Sequence, residues 1–250
     1  RKFFESPVQA WAMAALEMRD DRDEDAAEVA ARINEPFANS DLDRAVILRD
    51  VIEQSLRHPE RSLDELYAAT ARIRALEGQA PIGVFGDAGA ERDVAVLQAW
   101  RNALGPMSVG RDGGVAHHRY AFGRSHVAAA QLLPSPTIEL TVGGRRERIR
   151  LVGNTEIQLP KFGSVVFRSG ALRHLDHLRG MIDHLLLTVV AEQTGTLQHA
   201  GHRHMIVEST GKTTQIDHAA WAPGTATAFL TAMLNELLNH DHAYVLPFDQ

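Results

Sequence analysis

The chain has 250 residues, 44% hydrophobic and 23% charged, with 26 Lys+Arg against 32 Asp+Glu, a net charge of −6 and no cysteine. The missing cysteines exclude a disulfide framework and thiolate metal sites. The acidic balance argues against a free-standing protein that coats nucleic acid through bulk charge, while leaving room for a local basic stripe.

No apolar run approaches the ~18 residues needed to span a bilayer. The longest candidate, residues 185–191, reads as a core-helix segment, so a chain without membrane contact, in a reducing cytoplasmic setting, is expected. No basic-then-apolar leader pattern follows Arg1, and a start without Met leads us to expect a fragment.

The first hundred residues read as helical. Ser6, Pro7 and Gln9 supply an N-cap, a proline at the first helical position and a capping-box glutamine. The carboxylate-rich run from Glu17 to Glu28 is a solvated loop or helix end. A second helix starts at Ser40–Asp43, with Leu42, Ala45, Arg49, Ile52 and Leu56 expected on one face. Ser62-Leu-Asp-Glu65 is a capping box that opens a third, ending at Gly78. Pro81-Ile-Gly-Val-Phe-Gly86 looks like a glycine loop with two buried apolar anchors, and a fourth helix is expected over 90–104.

Residues 105–115 are a connector, which divides the chain into a helical region, 1–115, and an α/β core, 116–250. Period-two alternation begins at Thr137–Val142, and Gly143-Gly144 predicts a hairpin turn. Along 149–159, Ile149, Leu151, Ile157 and Leu159 share one strand face, and Arg150, Asn154, Glu156 and Gln158 the other. A short strand follows at Ser164–Arg168, then a long helix striped with Leu172, Leu175, Leu178, Ile182, Leu185, Leu186 and Val189. Residues 202–208 suit another strand, and Pro223 opens a last helix carrying Phe229, Met233 and Leu237. The fold class is therefore α/β of the α+β kind. The order strand-strand-strand-helix-strand-helix, preceded by a helix, is that of a restriction-endonuclease-like core, and several α+β folds share it.

A metal-dependent phosphodiesterase holds Mg²⁺ with hard oxygen ligands and needs a cation or base beside the attacking water. Glu156 qualifies as one ligand. If residues 166–170 stand where such nucleases carry Asp-Tyr-Lys-Thr-Gly, Val166 supplies no oxygen and Arg168 replaces the lysine. Arginine is no substitute there, because its guanidinium barely gives up a proton and has a different shape. The site is read as degenerate at Glu156, Val166 and Arg168, with no catalytic residue, no metal and no cofactor. An active nuclease built on Glu156 is the alternative.

The histidines at 174, 177 and 184, and at 199, 202 and 204, suggest metal. No HExxH pair exists, so solvated or hydrogen-bonded roles are the better expectation. Arg145, Arg146, Arg148 and Arg150 form the densest basic stretch, suited to phosphate contact or to a charged hairpin edge. Arg119 and Arg124 sit among aromatic residues in HHRYAFGR, as nucleic-acid stacking surfaces do. Gly211-Lys-Thr-Thr lacks the upstream glycine of a phosphate-binding loop.

Several stretches resemble one family in order and spacing: the entry segment Arg1–Trp11, Glu35-Pro-Phe37, Pro81–Gly86, Ile149–Gly153, Leu178–Leu185 and the closing Leu246-Pro-Phe248. They are similar to the C-terminal region of the gamma chain (RecC) family of exodeoxyribonuclease V, with Met181 standing where the family helix carries tryptophan. The resemblance implies a nuclease-like fold without its active site. It also implies RecB-like and RecD-like partner subunits, and a part in splitting and routing DNA during double-strand-break repair. An active RecB-like exonuclease domain remains the competing expectation.

Overall fold

The computed structural model describes residues 39–105, 117–123, 130–160, 163–195 and 201–239. The expected helix from Ser6, the acidic run, the connector beyond Gly105, Arg124, His199 and three of the resemblance motifs (1–11, 35–37 and 246–248) lie outside these residues.

Three helices come first. In α1 (Asp41–Arg57), the Ser40 hydroxyl accepts from the Asp43 amide at 3.1 Å. In α2 (Leu63–Leu76), Ser62 and Glu65 form the predicted capping box, which satisfies amides that the first turn leaves without partners. The third helix, α3 (Gly83–Leu104), starts earlier than the pattern suggested. Its opening turns take up most of the expected glycine loop, and Ile82, Val84 and Phe85 are exposed rather than anchoring. Gly83 enters the helix at φ 58°, a conformation that glycine adopts without steric cost.

The α1 face is also rotated from expectation. Ile47, Leu48, Val51, Ile52 and Leu56 are buried, whereas Leu42 is exposed. Asp93 on α3, buried, accepts from Arg44 on α1 at 2.5 Å and from the Tyr67 hydroxyl on α2 at 3.0 Å, so one carboxylate ties all three helices.

The strands of the described residues form three sheets. β1 (Arg119–Phe122) pairs in parallel with β2 (Ala130–Leu133), and β3 (Thr137–Val142) pairs with β4 (Arg145–Arg150) across the predicted hairpin. Gly143 and Gly144 both hold positive φ, at 55° and 80°, as a tight two-residue turn requires. The strand expected over 149–159 is instead broken. After β4 come β5 (Gly153–Asn154), paired to β1, and β6 (Ile157–Leu159), paired to β7 (Gly163–Phe167). Gly153, at φ 151°, opens β5, and Thr155, between β5 and β6, accepts from the Tyr120 amide, so the backbone changes partners.

Helix α4 (His174–Thr194) carries β7 over to its parallel neighbour β8 (His202–Val207). Strand β9 (Thr213–His218), absent from the sequence reading as β1 and β2 were, completes the order β6-β7-β8-β9. Helix α5 (Thr225–Asn239) closes the described chain. It buries Ala226, Leu230, Leu234 and Leu237, while Phe229 is partly exposed.

One face of the four-stranded sheet, with Ile157, Leu159, Val165, Phe167, Met205 and Val207, packs on α1–α3. Alternation sends Gln158, Ser164, Val166, His204 and Ile206 to the other face, toward α4. The second half of the expected α4 stripe, Ile182 to Val189, is buried with α5 and β3. Its first half is not: Leu175 and Leu178 face outward, and Asp176, Gly180 and Asp183 are buried instead. The sheet beneath that half is polar, so hydrogen-bonding side chains satisfy it where leucine would not.

Candidate functional site

Glu156 lies between β5 and β6, where the chain leaves one sheet for another. Its backbone amide donates to Asp183 Oδ2 of α4 at 2.9 Å, and Gln158 Nε2 donates to the same oxygen at 3.1 Å. Its carboxylate is held between two guanidiniums: Arg179 Nη1 of α4 is 3.3 Å from Oε1, and Arg119 Nη1 of β1 is 3.6 Å from Oε2.

The pairing continues outward. Arg119 reaches Glu53 of α1 at 2.9 Å and donates to the Thr155 carbonyl at 3.0 Å. Arg168, just past β7, lies 3.0 Å from Asp176 of α4, and Arg179 approaches the other oxygen of Asp176 at 3.9 Å. Arg49 of α1 donates to the Phe167 carbonyl at 3.4 Å. Burial lowers the pKa of Arg49; the charges of Arg179 and Arg168 add to that, and Glu156 and Asp176 oppose it. Burial pushes the Glu53 carboxyl up, but the Arg119 hydrogen bond and the charges of Arg119 and Arg57 outweigh it and leave the pKa lowered.

The sequence-predicted trio is thus brought to one place, with three different surroundings. Glu156 meets arginine, Arg168 meets Asp176, and Val166 is a buried aliphatic group between them along β7. Guanidinium groups alternate with carboxylates from α1, β1, the β5–β6 turn and α4. Buried charges of this kind are held only when paired, and here Glu53, Glu156 and Asp176 are each engaged by guanidinium groups, while Asp183 accepts from the Glu156 amide and Gln158. No set of three His, Asp or Glu side chains able to hold a metal ion occurs among the described residues.

The sequence reading missed Arg49, Glu53, Asp176, Arg179 and Asp183. The signal for three of them was present. Asp176, Arg179, Gly180 and Asp183 recur at spacings of three and four, a polar stripe on one helix face.

The histidines gather differently from expectation. His184 of α4 stacks on His202 of β8, with ring centres 5.5 Å apart and planes at 12°, and His218 of β9 lies 6.0 Å from His184. His204 Nε2 donates to the Asp176 carbonyl at 2.9 Å, which fixes its tautomer and makes Nδ1 an acceptor. The Ser164 hydroxyl, 2.8 Å from that Nδ1, therefore donates to it and accepts from His202 Nε2 at 2.9 Å. His184 donates to the Ala219 carbonyl at 3.0 Å. Burial, reinforced by the neighbouring imidazoles, pushes His202 down to about 3. Burial likewise lowers His204 to about 4 against the opposing Asp176 carbonyl bond.

Both rings stay neutral in the folded chain where unfolded histidine, near 6.5, begins to protonate. Their contribution is complete above about pH 6.5 and is lost as pH falls toward 4. Between pH 6 and 4, stability is expected to drop by about 2 kcal/mol per pH unit, since the unfolded chain binds up to two more protons. Urea unfolding from pH 7.5 to 4.5 measures this. A flat profile above pH 5 would refute it.

The arginine stretch also splits by face. On β4, Arg146, Arg148 and Arg150 point one way, opposite Thr141, Glu139 and Thr137, and Arg145 points the other. Arg146 and Arg148 are 81% and 70% exposed and share Glu139, at 2.5 and 3.1 Å. Their hydrogen bonds, Arg148's the larger, lower the Glu139 pKa. Arg119, by contrast, is turned into the Glu53–Glu156 cluster, with a side chain only 20% exposed. No helix among the described residues is long and apolar enough to cross a membrane.

With this geometry in place, comparison with known families gives a match. A family model described as the RecC C-terminal domain covers residues 1–250. No curated protein matches the chain.

Proposed function

The chain belongs to the RecC C-terminal domain family, and we propose that it serves as a non-catalytic domain of the gamma subunit in a RecBCD-type helicase–nuclease. Its core, residues 116–250, is a restriction-endonuclease-like fold whose cutting site is filled with arginine. Residues 1–115 form a helical region that acts with the core as one domain. The apolar cluster shared by α1–α3 and the four-stranded sheet supports that unity. The β7–α4–β8 crossover supports the fold assignment.

The observation that carries this reading is the occupancy of Glu156. Arg119 and Arg179 take the places around its carboxylate that Mg²⁺ and bound water need in a phosphodiesterase. Val166 adds no oxygen, and Arg168 is spent on Asp176. The domain's work then lies at its surfaces: it scaffolds the RecB-like and RecD-like subunits and guides or splits DNA during double-strand-break repair. The Arg146–Arg148–Arg150 face suits backbone phosphates, since contacts of this kind position a duplex without reading its sequence.

The test is to incubate the purified chain with linear duplex DNA and Mg²⁺ or Mn²⁺. No metal-dependent cleavage is expected. Cleavage that requires metal and disappears in Glu156→Ala would overturn the non-catalytic reading in favour of a RecB-like exonuclease.

A further inference from the structure

A groove opens between α2 and α3, and Ile82, 50% exposed, stands on its wall. Scattered single hydrophobics are ordinary on a surface; an apolar groove rimmed by polar residues marks a contact site.

The groove here has a volume of about 590 Å³ and runs between α2 and α3. Its floor is made of small residues, Ala71 and Ala75 on α2 and Gly86 and Ala90 on α3. Ala71 and Ala90 are backed by the apolar core, which gives the floor firm support. At Gly86 a Cβ would stand 2.8 Å from the Pro81 carbonyl oxygen, so glycine lets the chain fold tightly onto the start of α3. The rim is acidic: Asp64, Asp87 and Glu91 outnumber the single cation, Arg72.

We propose that this groove docks an amphipathic helix of a partner subunit, one whose apolar ridge is flanked by Lys or Arg. The inference rests on the reading that the chain is a subunit of a helicase–nuclease. Two features select this occupant. A floor of alanine and glycine lets a helix approach closely and lay its ridge into the groove. The acidic rim attracts basic flanks and disfavours acidic ones.

The experiment co-expresses the full chain with the RecB-like and RecD-like subunits of the same organism and compares capture by the parent, Ile82→Lys and Asp87→Lys/Glu91→Lys. All three positions are exposed, so unfolding midpoints are expected to match the parent's. Capture of a partner subunit is expected to weaken at least tenfold in both variants, and parent capture to fall as salt is raised. Equal capture by parent and variants overturns the docking site while leaving the subunit reading intact. A lowered unfolding midpoint in the variants overturns it by pointing to another part of this chain as the occupant, and loss of parent self-association overturns it by pointing to a second copy. If the parent captures neither subunit, the subunit reading fails, and the docking site with it.

Discussion

Replacing Gly180 with alanine is expected to cost about 3 kcal/mol or more, although the same change in an open helix position stabilises. A Cβ at Gly180 would lie 2.1 Å from His204 Cγ and 2.4 Å from its Cβ. Those atoms sit at the base of the side chain rather than at a flexible end, and His204 is fully buried between Ser164 and Asp176. Making room means lifting α4 off β8 or turning the imidazole out of two hydrogen bonds. Gly89 of α3 is the control. Nothing lies within 4 Å of a Cβ there and its φ is ordinary, so Gly89→Ala is expected to gain about 0.5–1 kcal/mol. Denaturant unfolding of the two variants side by side checks the opposite signs. A Gly180→Ala protein as stable as the parent would show that α4 does not sit this close.

Replacing Arg179 with methionine is the second large effect, about 3–5 kcal/mol of lost stability. The arginine stands between two carboxylates, and the side chains of Glu156 and Asp176 are 14% and 2% exposed. Methionine keeps the bulk and removes the charge, leaving Arg119 beside Glu156 and Arg168 beside Asp176. Adding Glu156→Gln to Arg179→Met is expected to recover part of the loss, because it removes the charge left unbalanced. A double-mutant cycle measured by urea unfolding reads the coupling directly. Additive losses would mean that the two side chains do not sense each other and that the clamp is not an energetic unit.

Much of this architecture was legible in the chain because it rests on short-range chemistry. Ser40 and Ser62 announced their helices through side chains that reach their own first turn. Gly143-Gly144 announced its hairpin through a turn few other residues allow. What failed was set by distant partners. Strand β9, with Thr213, Gln215 and Asp217 exposed, has too little apolar alternation to be seen, and it exists because β8 pairs with it. The break at Gly153 depends on β1, and the first half of α4 turned its leucines outward because Ser164, Gln158 and His204 lay beneath it.

The candidate site divides the same way. Glu156, Val166 and Arg168 were identified by strand order alone. The arginines that hold Glu156 come from β1 and α4, and no local pattern links Arg119 to Arg179. The basic stretch was read as one patch, and only register separated Arg145 from the Arg146–Arg148–Arg150 face.

The parallel pairing of β7 with β8 sets the order in which this chain can fold. Ser164 meets His204 only after the whole of α4 has been made and brought back across the sheet. The β3–β4 and β8–β9 hairpins need no such closure and can zip from their turns. Closing the long loop costs entropy before any contact rewards it, so the central strand pair belongs to the late, slow step. Until then, β8 carries Met205, Ile206 and Val207 on an uncovered strand edge, and the nascent chain is most prone to aggregate in that interval.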